Sequence, residues 1–142
     1  MKVAITGGAG FIGSHLAAYY LDRGAEVAVL DDFRTGSREN LRGLDVRLIE
    51  GSVLDGAAVR RALAGAQYVF HLAALVSVPQ SMEQPAETVR INVLGLLEVL
   101  AASREAGAAK LCLASSAAVY GESPADPKRE DLTPDPRSPY AI

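Results

Sequence analysis

Four glycines near the N-terminus constrain the fold of this chain more than any other feature. They lie in the segment Gly7-Gly-Ala-Gly-Phe-Ile-Gly13, between the apolar run Val3–Ile5 and a helical pattern. The run does not alternate between apolar and polar residues, as expected of a strand that is buried on both faces. Glycines with this spacing allow a tight turn, let backbone N–H groups approach a pyrophosphate, and let a helix pack closely on the strand. The segment therefore predicts a strand, a phosphate-binding turn and a helix in succession.

An acidic residue at the end of the second apolar run indicates what the turn would bind. Glu26–Leu30 is predicted to be a buried strand, and Asp31 follows it, 18 residues after Gly13. A carboxylate at this position accepts both hydroxyls of an adenosine ribose and repels a 2′-phosphate. The pattern therefore predicts a dinucleotide site that prefers NAD to NADP. The alternative is a glycine-rich turn with an incidental acid after a strand.

Composition excludes several classes of function. With 142 residues, of which 49% are hydrophobic and 22% charged, the chain fits one soluble domain over residues 1–142. A net charge of -3 provides no basic surface, so we expect neither nucleic acid nor a membrane as a partner. No apolar run approaches the roughly 18 residues of a transmembrane helix, and the N-terminus does not resemble a signal peptide. The one cysteine, Cys112, is expected to be buried in a strand and fits a cytoplasmic location. We predict no metal site.

Strands and helices are predicted to alternate along the whole chain. Beyond the first two strands, apolar runs predict strands at 46–50, 68–72 and 111–114. Capping residues, apolar periodicity and glycine stops predict helices at 11–23, 56–64 and 85–106, with Asp55 as the N-cap of the second. A proline-rich loop at 124–139 and the start of another helix at 140–142 follow. This alternation predicts an α/β fold, a doubly wound parallel sheet with helices on both faces and strand order 3-2-1-4-5.

Motifs spread over the chain resemble those of one family. They are Thr6–Gly13, Asp31–Asp32, His71–Ala74, Asn92, Ser115–Gly121 and Pro139–Tyr140. Together they resemble the N-terminal half of the extended short-chain dehydrogenases/reductases, the nucleotide-sugar epimerase/dehydratase group, which has a Rossmann-like fold. Within that group, Ala74–Pro79 and Ser138–Ile142 are most similar to UDP-sugar 4-epimerases, particularly the UDP-N-acetylglucosamine type. The resemblance implies NAD as cofactor and a UDP-sugar as substrate.

The resemblance also implies which residues bind NAD. Those implied for the pyrophosphate are Gly7, Gly10, Phe11, Ile12 and Gly13. Those implied for the adenosine ribose and its rim are Asp31, Asp32, Arg34, Thr35 and Gly36. Beside adenine lie Ser52 and Val53, where Ser52 replaces the aspartate usual in the family. Those implied for the nicotinamide half of the site are Leu72, Ala73 and Ala74. Asn92 and Ser115 are also implied to bind the cofactor, with Asn92 mainly supporting the active-site backbone.

Ser116 and Tyr140 are implied to be catalytic. In the family, the tyrosine removes the proton from the sugar 4-hydroxyl while NAD takes the hydride from the same carbon. The 4-keto sugar then rotates, and the hydride returns to its other face. Ser116 is expected to hydrogen-bond the reacting oxygen, and Ser77 lies where the family touches the sugar phosphate. Without the flanking motifs, Tyr140 would be interpreted as an ordinary loop tyrosine, and His71 is interpreted as structural.

The family motif continues beyond the sequence given. Its form is Tyr-x-x-x-Lys, so the lysine belongs at position 144, whereas the sequence ends at Ile142. We therefore expect that further strands and a C-terminal substrate domain are absent, and that the 142-residue chain alone is inactive. For a full-length form we expect a homodimer. The main alternative is a stand-alone, non-catalytic NAD-binding module.

Other activities of the family are compatible with the sequence to different degrees. A 4,6-dehydratase needs an acid/base pair beside the serine, and Ala117 and Ala118 occupy those positions. Neither alanine can transfer a proton, so dehydration is disfavoured. Reductases and decarboxylases of nucleotide sugars remain open, because their distinguishing residues lie beyond residue 142.

Overall fold

Five parallel strands form one sheet in the computed structural model, which describes residues 1–124 and 127–142. The strands are β1 (Lys2–Thr6), β2 (Glu26–Asp31), β3 (Arg47–Glu50), β4 (Tyr68–His71) and β5 (Lys110–Leu113). Their spatial order is β3-β2-β1-β4-β5, which confirms the predicted order. The strand order reverses between β1 and β4, and open α/β sheets bind ligands at the carboxyl ends of the strands at such a point.

Helices form most of the connections between the strands. They are α1 (Phe11–Leu21), α2 (Gly56–Leu63), α3 (Val78–Glu83), α4 (Pro85–Val89) and α5 (Gly95–Glu105), with a π-helical turn at Arg90–Leu94 and 3₁₀ turns at Arg38–Leu41 and Ala117–Tyr120. The predicted N-cap of α2 is confirmed, because the Asp55 carboxylate accepts hydrogen bonds from the backbone N–H groups of Ala57 and Ala58. This cap satisfies donors that a helix start leaves without intrahelical partners.

Three local features differ from the sequence prediction. The predicted helix at 85–106 contains the π-helical turn between α4 and α5. The helix α3 was not predicted, although its start carries a usual signal: Ser77 caps it by accepting a hydrogen bond from Gln80 N–H at 3.3 Å. At residues 138–141 the chain forms a hydrogen-bonded turn rather than the start of a helix. Positions 125–126 of the predicted loop lie outside the described residues.

The core lies on both faces of the sheet, and β1 contributes to each. Val3 and Ile5 pack on the side of α1, whereas Ala4 packs on the side of α2 and α5. All three are at most 1% exposed, so the uninterrupted apolar run is confirmed as a strand buried on both faces. Burying a valine or isoleucine side chain contributes about 1.5–3 kcal/mol, so β1 anchors the turn that follows it.

The strand β5 is much more exposed than β1. Cys112 is exposed, so the prediction that it is buried is wrong. Among the described residues, β5 pairs with β4 along one edge only, and Leu113 is also exposed. An apolar run predicts a strand from local sequence, but its burial depends on which elements pack against it.

Candidate functional site

The glycine turn after β1 is held against its neighbours at close backbone distances. Gly7 has a φ of +70°, and a Cβ placed there would lie 2.7 Å from the backbone nitrogen of Ala73. A Cβ on Gly13 would lie 2.4 Å from the carbonyl oxygen of Gly7. Both contacts are with backbone, which cannot move aside as a flexible side chain can. The turn therefore brings the end of β1, the start of α1 and the loop after β4 together, with space only for glycine.

Asp31 ends β2 with a carboxylate that is fixed from two directions. Its Oδ2 accepts a hydrogen bond from Ala9 N–H at 2.8 Å, and its Oδ1 accepts one from Phe33 N–H at 2.8 Å. A carboxylate oxygen has two lone-pair sites, so each oxygen still has capacity for another donor. A Cβ on Gly36 would lie 3.0 Å from Asp31 Oδ1, which keeps that side of the carboxylate free of side chains. The arrangement suits a vicinal diol.

Two adjoining pockets form a groove at the carboxyl ends of the strands. Both are lined by Gly7, Gly10, Leu72, Ala73, Ala74 and Val76. Predicted adenosine-side residues that line the first pocket are Asp31, Asp32, Arg34, Thr35, Gly36, Ser52 and Val53. Predicted pyrophosphate, nicotinamide-side and catalytic residues that line the second pocket, of about 890 Å³, are Phe11, Ile12, Gly13, Asn92, Ser115, Ser116 and Tyr140. The groove therefore contains every predicted site residue except Ser77.

Ser116 and Tyr140 reach the second pocket from two different segments. Ser116 caps the 3₁₀ turn after β5, where its Oγ accepts a hydrogen bond from Ala118 N–H at 3.2 Å. That bond uses Oγ as an acceptor and leaves the hydroxyl hydrogen free to donate. Tyr140 lies in a turn closed by a 2.9 Å hydrogen bond from Ala141 N–H to the Ser138 carbonyl. Because Ser138 is buried, this turn is anchored and Tyr140 is positioned at the pocket wall.

The 3₁₀ turn that carries Ser116 is itself held by the following loop. Asp135 N–H donates to the Val119 carbonyl at 2.8 Å. The turn ends at Gly121, whose φ is +52°, and a Cβ there would lie 2.1 Å from the Asp135 carbonyl oxygen. A side chain at position 121 would therefore push the loop away from the turn. The position of the turn that carries Ser116 therefore depends on Asp135, which does not itself line the pocket.

Asn92 supports the groove through the backbone. It lies in the π-helical turn, and π-helical turns inside helices are frequent at functional sites. Its Oδ1 accepts a hydrogen bond from Leu75 N–H at 2.8 Å, and its Nδ2 donates to the Leu75 carbonyl at 3.1 Å. The amide thus satisfies both backbone groups of one residue in the loop after β4. Asn92 therefore acts on the groove by fixing the loop that lines both pockets.

His71 is a buried partner of Thr6 beneath the groove. Its Nδ1 lies 2.6 Å from Thr6 Oγ1, which also accepts a hydrogen bond from Ala73 N–H at 3.3 Å. Burial lowers the pKa of His71 from 6.5 to about 4, because an imidazolium would lose its hydration. The imidazole is therefore neutral at pH 7 and connects the ends of β1 and β4.

The remaining predicted positions and the lining residues that were missed show where sequence reasoning is weaker. Ser77 caps α3 and is not among the residues that line the two pockets. Ser52 lines the first pocket, and its Oγ accepts a hydrogen bond from Leu54 N–H at 3.2 Å. Several lining residues were not predicted as site residues, among them Ile91, Val119, Thr88 and Leu96. Ile91 and Val119 adjoin or belong to recognised motifs, which was an available signal, whereas Thr88 and Leu96 lie outside every recognised motif.

No group of three or more His, Cys, Asp or Glu side chains is placed to hold a metal ion within 1–124 and 127–142. Of the helices in the described part of the chain, none combines the length and the apolar character needed to span a bilayer.

Comparison with known proteins identifies relatives over nearly the whole chain. A UDP-glucose 4-epimerase from Corynebacterium glutamicum is 41% identical over 140 residues, which are 99% of this chain and 42% of that protein. The UDP-glucose 4-epimerase from Thermus thermophilus, solved in complex with NAD, is 44% identical with a TM-score of 0.90. A UDP-N-acetylglucosamine 4-epimerase from Methanobrevibacter ruminantium, solved with UDP-N-acetylmuramic acid, is 37% identical with a TM-score of 0.91.

These relatives are longer than the chain described. Each of the two solved structures matches 99% of this chain. The match covers only 46% of the solved chain in each case. The chain therefore spans less than half the length of these three relatives and corresponds to their N-terminal part. The model of the NAD dependent epimerase/dehydratase family matches residues 3–142. Since that match includes almost every residue, the chain belongs to the NAD dependent epimerase/dehydratase family.

Proposed function

We propose that this chain is the NAD-binding part of a UDP-sugar 4-epimerase. The observation that carries the proposal is that Ser116 and Tyr140 line one pocket together with the glycine turn. The similarity to two UDP-sugar 4-epimerase structures and to the Corynebacterium glutamicum enzyme supports the same reaction. The substrate domain, and with it the choice between UDP-glucose and its N-acetylated analogue, is proposed to lie in sequence that follows residue 142.

The residues of the groove fit NAD. Phe11, Ile12 and Gly13 form the first turn of α1 and line the second pocket. The backbone N–H groups of a first helical turn have no intrahelical partners, which suits a pyrophosphate. The fixed carboxylate of Asp31 suits the adenosine ribose. Leu72–Ala74 line both pockets and would contact the nicotinamide half. When bound, NAD supplies a hydride acceptor and donor for the sugar carbon that carries the 4-hydroxyl.

Tyr140 and Ser116 would move the proton of the 4-hydroxyl. We assign Tyr140, in its phenolate form, as the base that takes this proton to become the phenol and later returns it. The Ser116 hydroxyl would donate a hydrogen bond to the same sugar oxygen, since its own oxygen already accepts from Ala118 N–H. Dehydration remains disfavoured, because Ala117 and Ala118 in the same 3₁₀ turn carry no acid or base.

The epimerase proposal is tested with the product of the complete gene that contains this sequence. The purified protein is incubated with NAD and either UDP-glucose or UDP-N-acetylglucosamine, and the sugars are separated by chromatography. We expect interconversion at C4, and we expect Tyr140→Phe to lower turnover by about 10²–10⁴-fold. Tyr120→Phe is the matched control, because Tyr120 is not among the residues that line the two pockets. Release of CO₂ from UDP-glucuronic acid without epimerisation would instead indicate a decarboxylase.

We also propose that the complete protein is a cytoplasmic homodimer. Leu94 in the π-helical turn and Leu97 and Leu100 on α5 are exposed and are not among the residues that line the two pockets. An exposed apolar row of this kind supports burial against a second copy. Light scattering of the complete protein tests the dimer: Leu97→Glu should yield monomers, and the control Tyr19→Glu on α1 should not. A wild-type monomer at micromolar concentration would contradict the assignment.

A further inference from the structure

A chain of charges connects the adenosine side of the groove to the helix α4. The guanidinium of Arg34 lies 3.3 Å (Nη2 to Oε1) from the Glu87 carboxylate and 3.9 Å (Nε to Oδ2) from Asp32. Glu87 also pairs with Arg90, one helical turn further on, at 3.0 Å. Arg34 and Glu87 are separated by 53 residues in the sequence. The fold therefore brings a rim arginine and an acidic helix residue together.

The position of Arg34 makes this contact relevant to cofactor choice. Arg34 lines the first pocket together with Asp31, the residue expected to bind the adenosine ribose. An arginine near that ribose is the group that accommodates a 2′-phosphate in proteins that bind NADP. In this structure the Arg34 guanidinium is instead engaged by two carboxylates. A 2′-phosphate would have to compete with them.

We propose that Glu87 is a specificity-determining residue that disfavours NADP by holding Arg34. Glu87 makes the shorter of the two contacts, and its side chain is the less exposed partner at 29%, against 46% for Arg34. Arg90 fixes the second carboxylate oxygen, so Glu87 is oriented toward the rim from the first turn of α4. Asp31 would repel the 2′-phosphate directly, and Glu87 would add to this by keeping Arg34, which lines the first pocket, occupied. The inference rests on the NAD binding proposed above and not on the epimerase reaction.

The test compares the affinities of the purified product of the complete gene for NADH and NADPH by calorimetric titration at low ionic strength. Half-exposed ion pairs have modest free energies, so Glu87→Gln should raise the NADPH-to-NADH affinity ratio by about two- to five-fold. Glu83→Gln on α3 removes the same charge from an exposed position nearby and should leave the ratio unchanged. In an Arg34→Gln background, Glu87→Gln should have no further effect.

Every other outcome would contradict the inference, and each would point to a different cause. An unchanged ratio in Glu87→Gln, with NADH still bound, would overturn the role of Glu87 and leave the proposed cofactor site intact. An equal rise of the affinity ratio in Glu83→Gln would show that the loss of any negative charge in this region is sufficient, without a specific role for Glu87. A rise that persists in the Arg34→Gln background would trace it to another cation, such as Arg90. A wild-type chain that binds neither dinucleotide would overturn the cofactor site together with the inference.

Discussion

Acidification should destabilise this protein through His71. The imidazole is 3% exposed, and burial lowers its pKa from 6.5 to about 4. Between these two values the unfolded chain binds more protons than the folded chain, so the free energy of unfolding falls as the pH falls. The stabilisation is fully present above pH 6.5 and is lost progressively toward pH 4.

The magnitude follows from the same two pKa values. Each pKa unit corresponds to about 1.36 kcal/mol, so the gap between 6.5 and about 4 corresponds to about 3 kcal/mol. That is a large fraction of the 5–15 kcal/mol, roughly, by which a typical domain is stable. The physical origin is that a protonated His71 would lack hydration, because its ring is buried at the end of β4, with Nδ1 2.6 Å from Thr6 Oγ1 on β1.

The assay is urea unfolding followed by circular dichroism at several pH values between 7.5 and 4. Other groups titrate over part of this range, so the informative quantity is the difference between wild type and His71→Asn. Asparagine keeps a polar partner for Thr6 but has no proton to gain. The cavity it leaves should lower stability by a similar amount at every pH, whereas the wild-type curve should fall more steeply with acid. His15→Asn on the exposed face of α1 is the matched control and should keep the wild-type slope. Parallel curves for wild type and His71→Asn would refute the reasoning.

Two further predictions concern the residues around the glycine turn. Asp31→Ala should weaken NADH binding by about 1–3 kcal/mol, or roughly 5- to 150-fold in Kd, because the charge-assisted hydrogen bonds proposed between its carboxylate and the ribose would be lost; unchanged calorimetric affinity would contradict this. Gly13→Ala should lower the free energy of unfolding by about 2–3 kcal/mol, because its Cβ would lie 2.4 Å from the Gly7 carbonyl oxygen, which is backbone. Gly24→Ala is the control: nothing lies within 4 Å of its Cβ, so only the positive φ, at about 1 kcal/mol, should contribute. Equal losses for the two variants would show that close packing at Gly13 is unimportant.

The features that sequence predicted well are those specified by neighbouring residues. The buried run Val3–Ile5, the glycine spacing after it and the cap at Asp55 each depend on a few adjacent positions. Strand order was predictable because alternating strands and helices with right-handed crossovers leave few arrangements. Apart from Ser77, the site residues recognised by resemblance also share one groove, since the carboxyl ends of parallel strands meet at the same edge.

The features that sequence missed depend on contacts between distant segments. Cys112 lies in an apolar run but is exposed, because burial is decided by what packs against β5. The π-helical turn within a helix predicted to be continuous accompanies the paired hydrogen bonds between Asn92 and Leu75. The contact between Arg34 and Glu87 joins surface charges that, from sequence alone, would each be expected to face solvent.

The groove therefore depends on two kinds of constraint that respond differently to mutation. Backbone approaches such as that of Gly7 to Ala73 leave no space for a side chain, so substitution there should disturb folding and binding together. Contacts such as the hydrogen bonds between Asn92 and Leu75 hold the loop after β4 in place without involving the glycine turn. Removing such a contact need not remove the sheet, because the strands keep their own hydrogen bonds and apolar core. The glycines are thus required to form the groove, whereas the distant contacts determine how firmly its loops are held for the ligand.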